Sequence, residues 1–171
     1  MSKTTHGGEK GEGSHLRLVA WEVTRNCNLN CIHCRAAATQ GPYSGELDTG
    51  ACFKLLDQIK EVGQPVIILT GGEPLLRPDI FEIARYGTDQ GLRMVMAPNG
   101  TLITPEHARN MAESGIKRIS VSLDGATKEK HDDFRGVPGA FEGALRGIEL
   151  AKAAGIEFQI NTTISKIGRA H

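Results

Sequence analysis

Three cysteines, Cys27, Cys31 and Cys34, fall within one eight-residue stretch, Cys-Asn-Leu-Asn-Cys-Ile-His-Cys. Three thiolates at C-x3-C-x2-C spacing can hold a metal centre, whereas an all-cysteine iron–sulfur cluster or a closed structural zinc site takes a fourth ligand. A metal with a missing protein ligand keeps an open position, and an open position is where chemistry happens. The loop itself leaves two alternatives: a structural zinc site completed by His33 or Cys52, or three unligated thiols. Chelation by His33, between two candidate ligands, would be strained. Cys52 falls on the apolar face of a predicted helix, where free cysteine behaves as a small hydrophobe. A second candidate is Gly71-Gly72-Glu73-Pro74. Its two glycines let a ligand approach the backbone closely. Glu73 offers a carboxylate to a cation such as an ammonium group. The plainer reading is a Gly-Gly turn carrying a solvated glutamate.

These residues must be positioned by the elements around them. Residues 16–23 read as a strand that runs straight into the cysteine loop. A helix is predicted over 48–62, with Cys52, Leu55, Leu56 and Ile59 at i, i+3, i+4 and i+7. Residues 66–69 form a continuous apolar run, as expected for a buried parallel strand, and end at the Gly-Gly-Glu-Pro turn. A second helix is predicted over 78–90 and a third strand over 92–97, ending in Pro98-Asn99-Gly100. Thr104-Pro105-Glu106 reads as an N-cap, a first-turn proline and a first-turn acid, opening a helix that stops at Gly115. A strand over 117–123 ends in Asp124-Gly125. A fourth helix over 140–154 and a fifth strand over 156–164 follow.

Such alternation predicts an α/β fold with a parallel sheet. The glycine-rich and polar motifs all fall where strands end, which in parallel α/β folds is the active face. In the fourth strand Ile119, Val121 and Leu123 alternate with Ser120, Ser122 and Asp124. In the fifth, Phe158 and Ile160 alternate with Gln159, Asn161 and Thr163. One polar face on successive strands suggests a wet or ligand-filled lumen; which face points inward is not legible from sequence.

The 171 residues are about one domain. With 20 basic and 20 acidic residues, charge gives no case for a nucleic-acid or anionic-membrane partner. No apolar run approaches the roughly 20 residues of a membrane span. Residues 1–15 lack the apolar core of a secretion signal and read as a disordered tail. Clustered cysteines without an export signal point to a reducing cytoplasm. A complete (β/α)8 barrel takes about 250 residues. The chain therefore reads as cut short after about the fifth strand, with 16–165 as its core and 166–171 as a non-native tail.

Cys27, Cys31 and Cys34 after the first strand, Gly-Gly-Glu-Pro after the second, Asn99-Gly100 after the third and Ser122-Leu-Asp-Gly125 after the fourth together resemble the radical S-adenosylmethionine (radical SAM) enzymes. The resemblance covers about residues 16–165. It implies a partial TIM-type (β/α)6 barrel lacking one strand and at least one helix here. It also implies a [4Fe–4S] cluster on Cys27, Cys31 and Cys34, with S-adenosylmethionine on the fourth iron. Gly72 and Glu73 match the motif that binds the methionine amino group. His33 occupies a position whose backbone contacts the adenine. Asn99, Ser122 and Asp124 match strand-end positions near the ribose and methionine parts. Arg135, in His-Asp-Asp-Phe-Arg-Gly, looks like the arginine that pairs with the cofactor carboxylate; the alternative is a surface arginine at a helix start. Asn161 and Thr163 resemble residues near the adenosine. The implied reaction is reductive cleavage of S-adenosylmethionine to a 5′-deoxyadenosyl radical that abstracts a substrate hydrogen.

Within the family, 91–101, 134–141 and 160–164 look most like the maturase-type branch, and within it the enzymes of alternative haem and haem d1 biosynthesis. A tetrapyrrole side chain is then the expected substrate, with flavodoxin or ferredoxin as electron donor. A peptide-modifying maturase, a molybdopterin-precursor cyclase, and an inactive fragment or zinc-binding module are the alternatives.

Overall fold

The computed structural model describes residues 16–38, 40–41 and 43–164. The expected tail over 1–15 and the run 166–171 lie outside them. Five strands carry the fold: β1 (Leu18–Thr24), β2 (Val66–Gly71), β3 (Arg93–Met96), β4 (Arg118–Ser122) and β5 (Glu157–Asn161). They form one sheet in the order β1-β2-β3-β4-β5 with every neighbouring pair parallel. Sequence neighbours are thus spatial neighbours throughout, as in the wall of a (β/α) barrel.

Five α-helices connect or follow the strands: α1 (Thr49–Val62), α2 (Ile80–Asp89), α3 (Pro105–Glu113), α4 (Lys128–Arg135) and α5 (Ala140–Ala153). A short 3-10 turn, Pro74–Leu76, follows β2. The predicted Thr104 cap is in place, and Asp48, expected as the first residue of its helix, is the N-cap of α1. Asp48 accepts from Ala51 N at 2.8 Å, and Thr104 accepts from His107 N at 3.1 Å with Pro105 in the first turn. Helix α4 is absent from the sequence reading, so the helix expected fourth is the fifth. Its buried residues are His131, Asp132 and Arg135. A helix that buries polar residues shows no apolar periodicity to detect. Its remaining signals are Thr127, whose side chain accepts from Lys130 N, and Gly136 at the left-handed C-cap.

The two faces of the sheet separate cleanly. Ile67, Leu69, Met94, Met96, Ile119 and Val121 are fully buried. They join Leu56 of α1, Ile83 of α2, Met111 of α3 and Ile148 of α5 in one core. The alternate residues project from the opposite face. There Ile68 pairs with Val95, Ser120 with Gln159 and Ser122 with Asn161. The polar face predicted from the fourth and fifth strands is therefore the one turned away from the helices, toward the lumen. Every residue of β5, the strand at the sheet's edge, is exposed. No described helix is long and apolar enough to cross a membrane.

Candidate functional site

The carboxyl ends of β1, β2, β3 and β4 deliver the candidate residues to one place. Cys27, Cys31 and Cys34 line a single cavity of about 270 Å³ together with Gly72, Asn99 and Arg135. All three cysteines are free thiols, Cys27 buried, Cys31 half-buried and Cys34 exposed. A second cavity of about 260 Å³, beside Trp21, Tyr43 and Arg77, carries no cysteine. Each thiol of the first has a donor close to its sulfur among the described residues. Leu29 N–H lies 3.5 Å from Cys27 Sγ, Ala38 N–H 3.4 Å from Cys34 Sγ, and Arg135 Nη1 3.5 Å from Cys31 Sγ. Burial pushes the Cys27 thiol up, the Leu29 N–H pulls it back, and nearby Glu73, Cys31 and Cys34 add to the rise. A metal centre binding there must displace a proton.

The zinc alternatives find no support in this geometry. Cys52 sits in the helix-side core, its sulfur 3.3 Å from Arg77 Nη2 and 3.7 Å from Leu47 O. The His33 ring is stacked on Phe134 with centroids 4.3 Å apart. Among the described residues no three His, Cys, Asp or Glu converge on a single ion. A four-iron cluster makes a different demand, one thiolate per iron, and three free thiols lining one cavity fit it.

The Gly-Gly-Glu-Pro turn is pressed against the cysteine loop. Gly72 N–H donates to Thr24 O and Glu73 N–H to Asn26 O, both at 2.8 Å. A Cβ on Gly72 would stand 2.3 Å from Asn26 O, so only glycine allows this approach. The Glu73 carboxylate is not a solvated one. It is fully buried, and accepts from Leu75 N at 3.0 Å and Asn99 N at 2.6 Å. Burial raises its pKa to about 7, against the pull of the Asn99 and Leu75 amides. Glu73 thus ties the end of β2 to the end of β3. Asn99 continues the chain of bonds: its Nδ2 donates to Asn28 Oδ1 at 2.8 Å, and its Oδ1 accepts from Thr101 N and Oγ1. Asn28 Nδ2 closes the circuit on Thr101 Oγ1 at 2.9 Å. Asn28 and Thr101 were not singled out from sequence; asparagine inside the cysteine loop and threonine after Asn99-Gly100 were the available signals.

Beyond β4, Ser122 is half-buried on the lumen face, and Asp124 with Arg135 forms a buried ion pair. Arg135 is the last residue of α4, not a surface residue at a helix start. Its Nε is buried with no partner among the described residues. Asp124 Oδ1 also accepts from Thr163 N at 2.7 Å, and Asp124 N–H donates to His131 Nδ1 at 3.1 Å. Thr163 is engaged here through its backbone. Asn161 is exposed on β5; its Oδ1 accepts from Gln159 and its carbonyl from Leu123 N. Helix α4 is fixed to the cysteine loop by Asn30 N–H to Arg135 O at 3.0 Å and Ile32 N–H to Phe134 O at 3.1 Å. These bonds satisfy carbonyls that a helix end leaves open.

Comparison with known proteins follows the same lines. A sequence model of the Radical SAM superfamily matches residues 21–166. The chain is 57% identical over 150 residues to an AdoMet-dependent heme synthase of Methanosarcina barkeri, covering 88% of this chain and 43% of that protein. It is 54% identical over 165 residues to an AdoMet-dependent heme synthase of Nitratidesulfovibrio vulgaris, covering 95% and 45%. It therefore spans less than half the length of these relatives. Among solved structures, native anSMEcpe with bound AdoMet superposes with a TM-score of 0.66 at 25% identity, covering 85% of this chain and 43% of that one.

Proposed function

The chain belongs to the radical SAM superfamily, a family of enzymes that use a [4Fe–4S] cluster and S-adenosylmethionine, and from that premise we propose that it forms the cofactor-binding core of a haem-biosynthetic enzyme acting on a tetrapyrrole side chain. The observation that carries this reading is the convergence of three free thiols, the strand-end motifs at Gly71-Gly72 and Asn99, and Arg135 on one cavity. The haem assignment rests on the identity to relatives named heme synthases. The core is assigned to 16–165.

Cys27, Cys31 and Cys34 are the residues to hold the cluster. Bound there, cluster and S-adenosylmethionine supply a carbon radical able to take hydrogen from a substrate. The chain's own residues position and shelter that chemistry. The backbone at Gly72 and Glu73 receives the methionine amino group, while the Glu73 side chain locks the strand ends together. Arg135 Nε, a buried donor without a partner among the described residues, suits a carboxylate. Asn99 and Ser122 face the ribose and methionine parts from the ends of β3 and β4, and Asp124 acts by orienting Arg135. His33, stacked on Phe134, presents its backbone to the adenine; Asn161 and Thr163 approach the adenosine from β5. The polar lumen face accommodates solvated or hydrogen-bonding groups of substrate. The proposed setting is the cytoplasm, a compartment that keeps cysteines reduced, with a flavodoxin or ferredoxin as electron source.

Anaerobic reconstitution with iron and sulfide tests the core reading. One four-iron cluster per chain and reductant-dependent formation of 5′-deoxyadenosine are expected, both lost in Cys27→Ala. Zinc in place of iron, or cofactor cleavage unchanged in Cys27→Ala, would overturn it. The substrate is tested separately by adding a propionate-bearing tetrapyrrole and following carbon dioxide release in the protein extended to the length of its relatives.

A further inference from the structure

We propose that Arg135 is a positioning residue that sets the reduction potential of the cluster through the Cys31 sulfur, an inference that rests on the four-iron reading of the site. Two of the three thiols take their nearby donor from the backbone, at Leu29 and Ala38. Cys31 takes it from a side chain, Arg135 Nη1, 104 residues further along the chain at 3.5 Å. That contact is held from both ends. On the donor side, Asp124 binds Nη2, and Asp124 is itself held by Thr163 N–H and by its own N–H to His131. On the acceptor side, the residues flanking Cys31 donate their amides to the last carbonyls of α4, Asn30 to Arg135 O and Ile32 to Phe134 O. Gly136 completes the contact at φ 70°, where a Cβ would lie 2.3 Å from Asn30 O. The helix end and the thiol-bearing loop therefore move as one piece.

The consequence is electrostatic. Reduction adds a negative charge to the cluster and its thiolates. A donor aimed at a ligating sulfur stabilises that added charge and raises the potential. Asp124 offsets much of the guanidinium charge at distance, so the effect resides mainly in the directed N–H···S contact. A backbone donor cannot be removed by substitution without moving the loop; Arg135 can be exchanged by one codon.

The test is the midpoint potential of the reconstituted 171-residue chain, measured without S-adenosylmethionine. Arg135→Gln is expected to shift the potential downward at equal iron and sulfide content, and Arg135→Lys to shift it less. An unchanged potential in Arg135→Gln overturns the proposal and leaves the cluster assignment standing. Failure of the unsubstituted chain to assemble a four-iron cluster overturns the underlying reading instead. Should the variants load no cluster, the contact is read in the Arg35→Lys chain, which removes the other guanidinium lining the cavity and keeps Arg135. With arginine guanidinium nitrogens labelled with ¹⁵N, the reduced cluster should show a guanidinium nitrogen coupling in pulsed electron paramagnetic resonance. Absence of that coupling refutes the contact.

Discussion

Glu73→Gln is the substitution that most directly tests how the site is held. The carboxylate is fully buried between two backbone N–H donors, and burial outweighs them, raising its pKa from 4.5 to about 7. A carboxyl that is harder to ionise in the folded than in the unfolded chain stabilises the fold fully below the unfolded value. That stability is lost as pH rises through the folded value. Here the window runs from about pH 4.5 to about pH 7, and the rise corresponds to about 3 kcal/mol. Glutamine removes the titration but presents one acceptor and one donor to the amides of Leu75 and Asn99. One amide then loses its acceptor, which costs about 1–3 kcal/mol at every pH. The metal-free variant should be less stable than the parent at pH 5, and should match or exceed it at pH 8. Urea unfolding of both proteins at pH 5, 6, 7 and 8, followed by the fluorescence of the single tryptophan, Trp21, reads the difference. Trp21 packs against the core and so reports global unfolding. A stability gap of the same size at pH 5 and pH 8 would refute the reasoning, because the buried carboxyl could then not be titrating in this window.

Gly72→Ala drives a methyl into Asn26 O, and should cost about 1–3 kcal/mol in the same unfolding assay. Cys52→Ala should keep full iron and sulfide content on reconstitution while losing about 1 kcal/mol of stability; Cys31→Ala and Cys34→Ala should fail to load a four-iron cluster. Phe134→Ala removes the stack on His33, worth about 1 kcal/mol. The amides of Asn30 and Ile32 should then exchange hydrogen faster, as read by mass spectrometry of peptides spanning the cysteine loop.

The sequence by itself determined the parallel α/β class, the five strands to within a few residues at most of their ends, and the strand-end placement of the cysteines, Gly72, Asn99 and Asp124. It could do so because glycine turns, caps and buried apolar runs are local signals, and because parallel strands send their carboxyl ends to one side. Tertiary structure alone decided which sheet face lines the lumen, since alternation marks two faces without naming the inner one. Only packing against α1, α2, α3 and α5 resolves it. It also decided the partners of Glu73 and Arg135, which lie 26 residues away at Asn99 and 104 residues away at Cys31. Helix α4 was missed for the same reason. Its inward face is His131, Asp132 and Arg135, polar residues that can be buried because Asp124, Cys31 and the amides of Gly139 and Phe141 satisfy them. A polar helix in sequence becomes a buried one when its partners arrive from elsewhere in the chain.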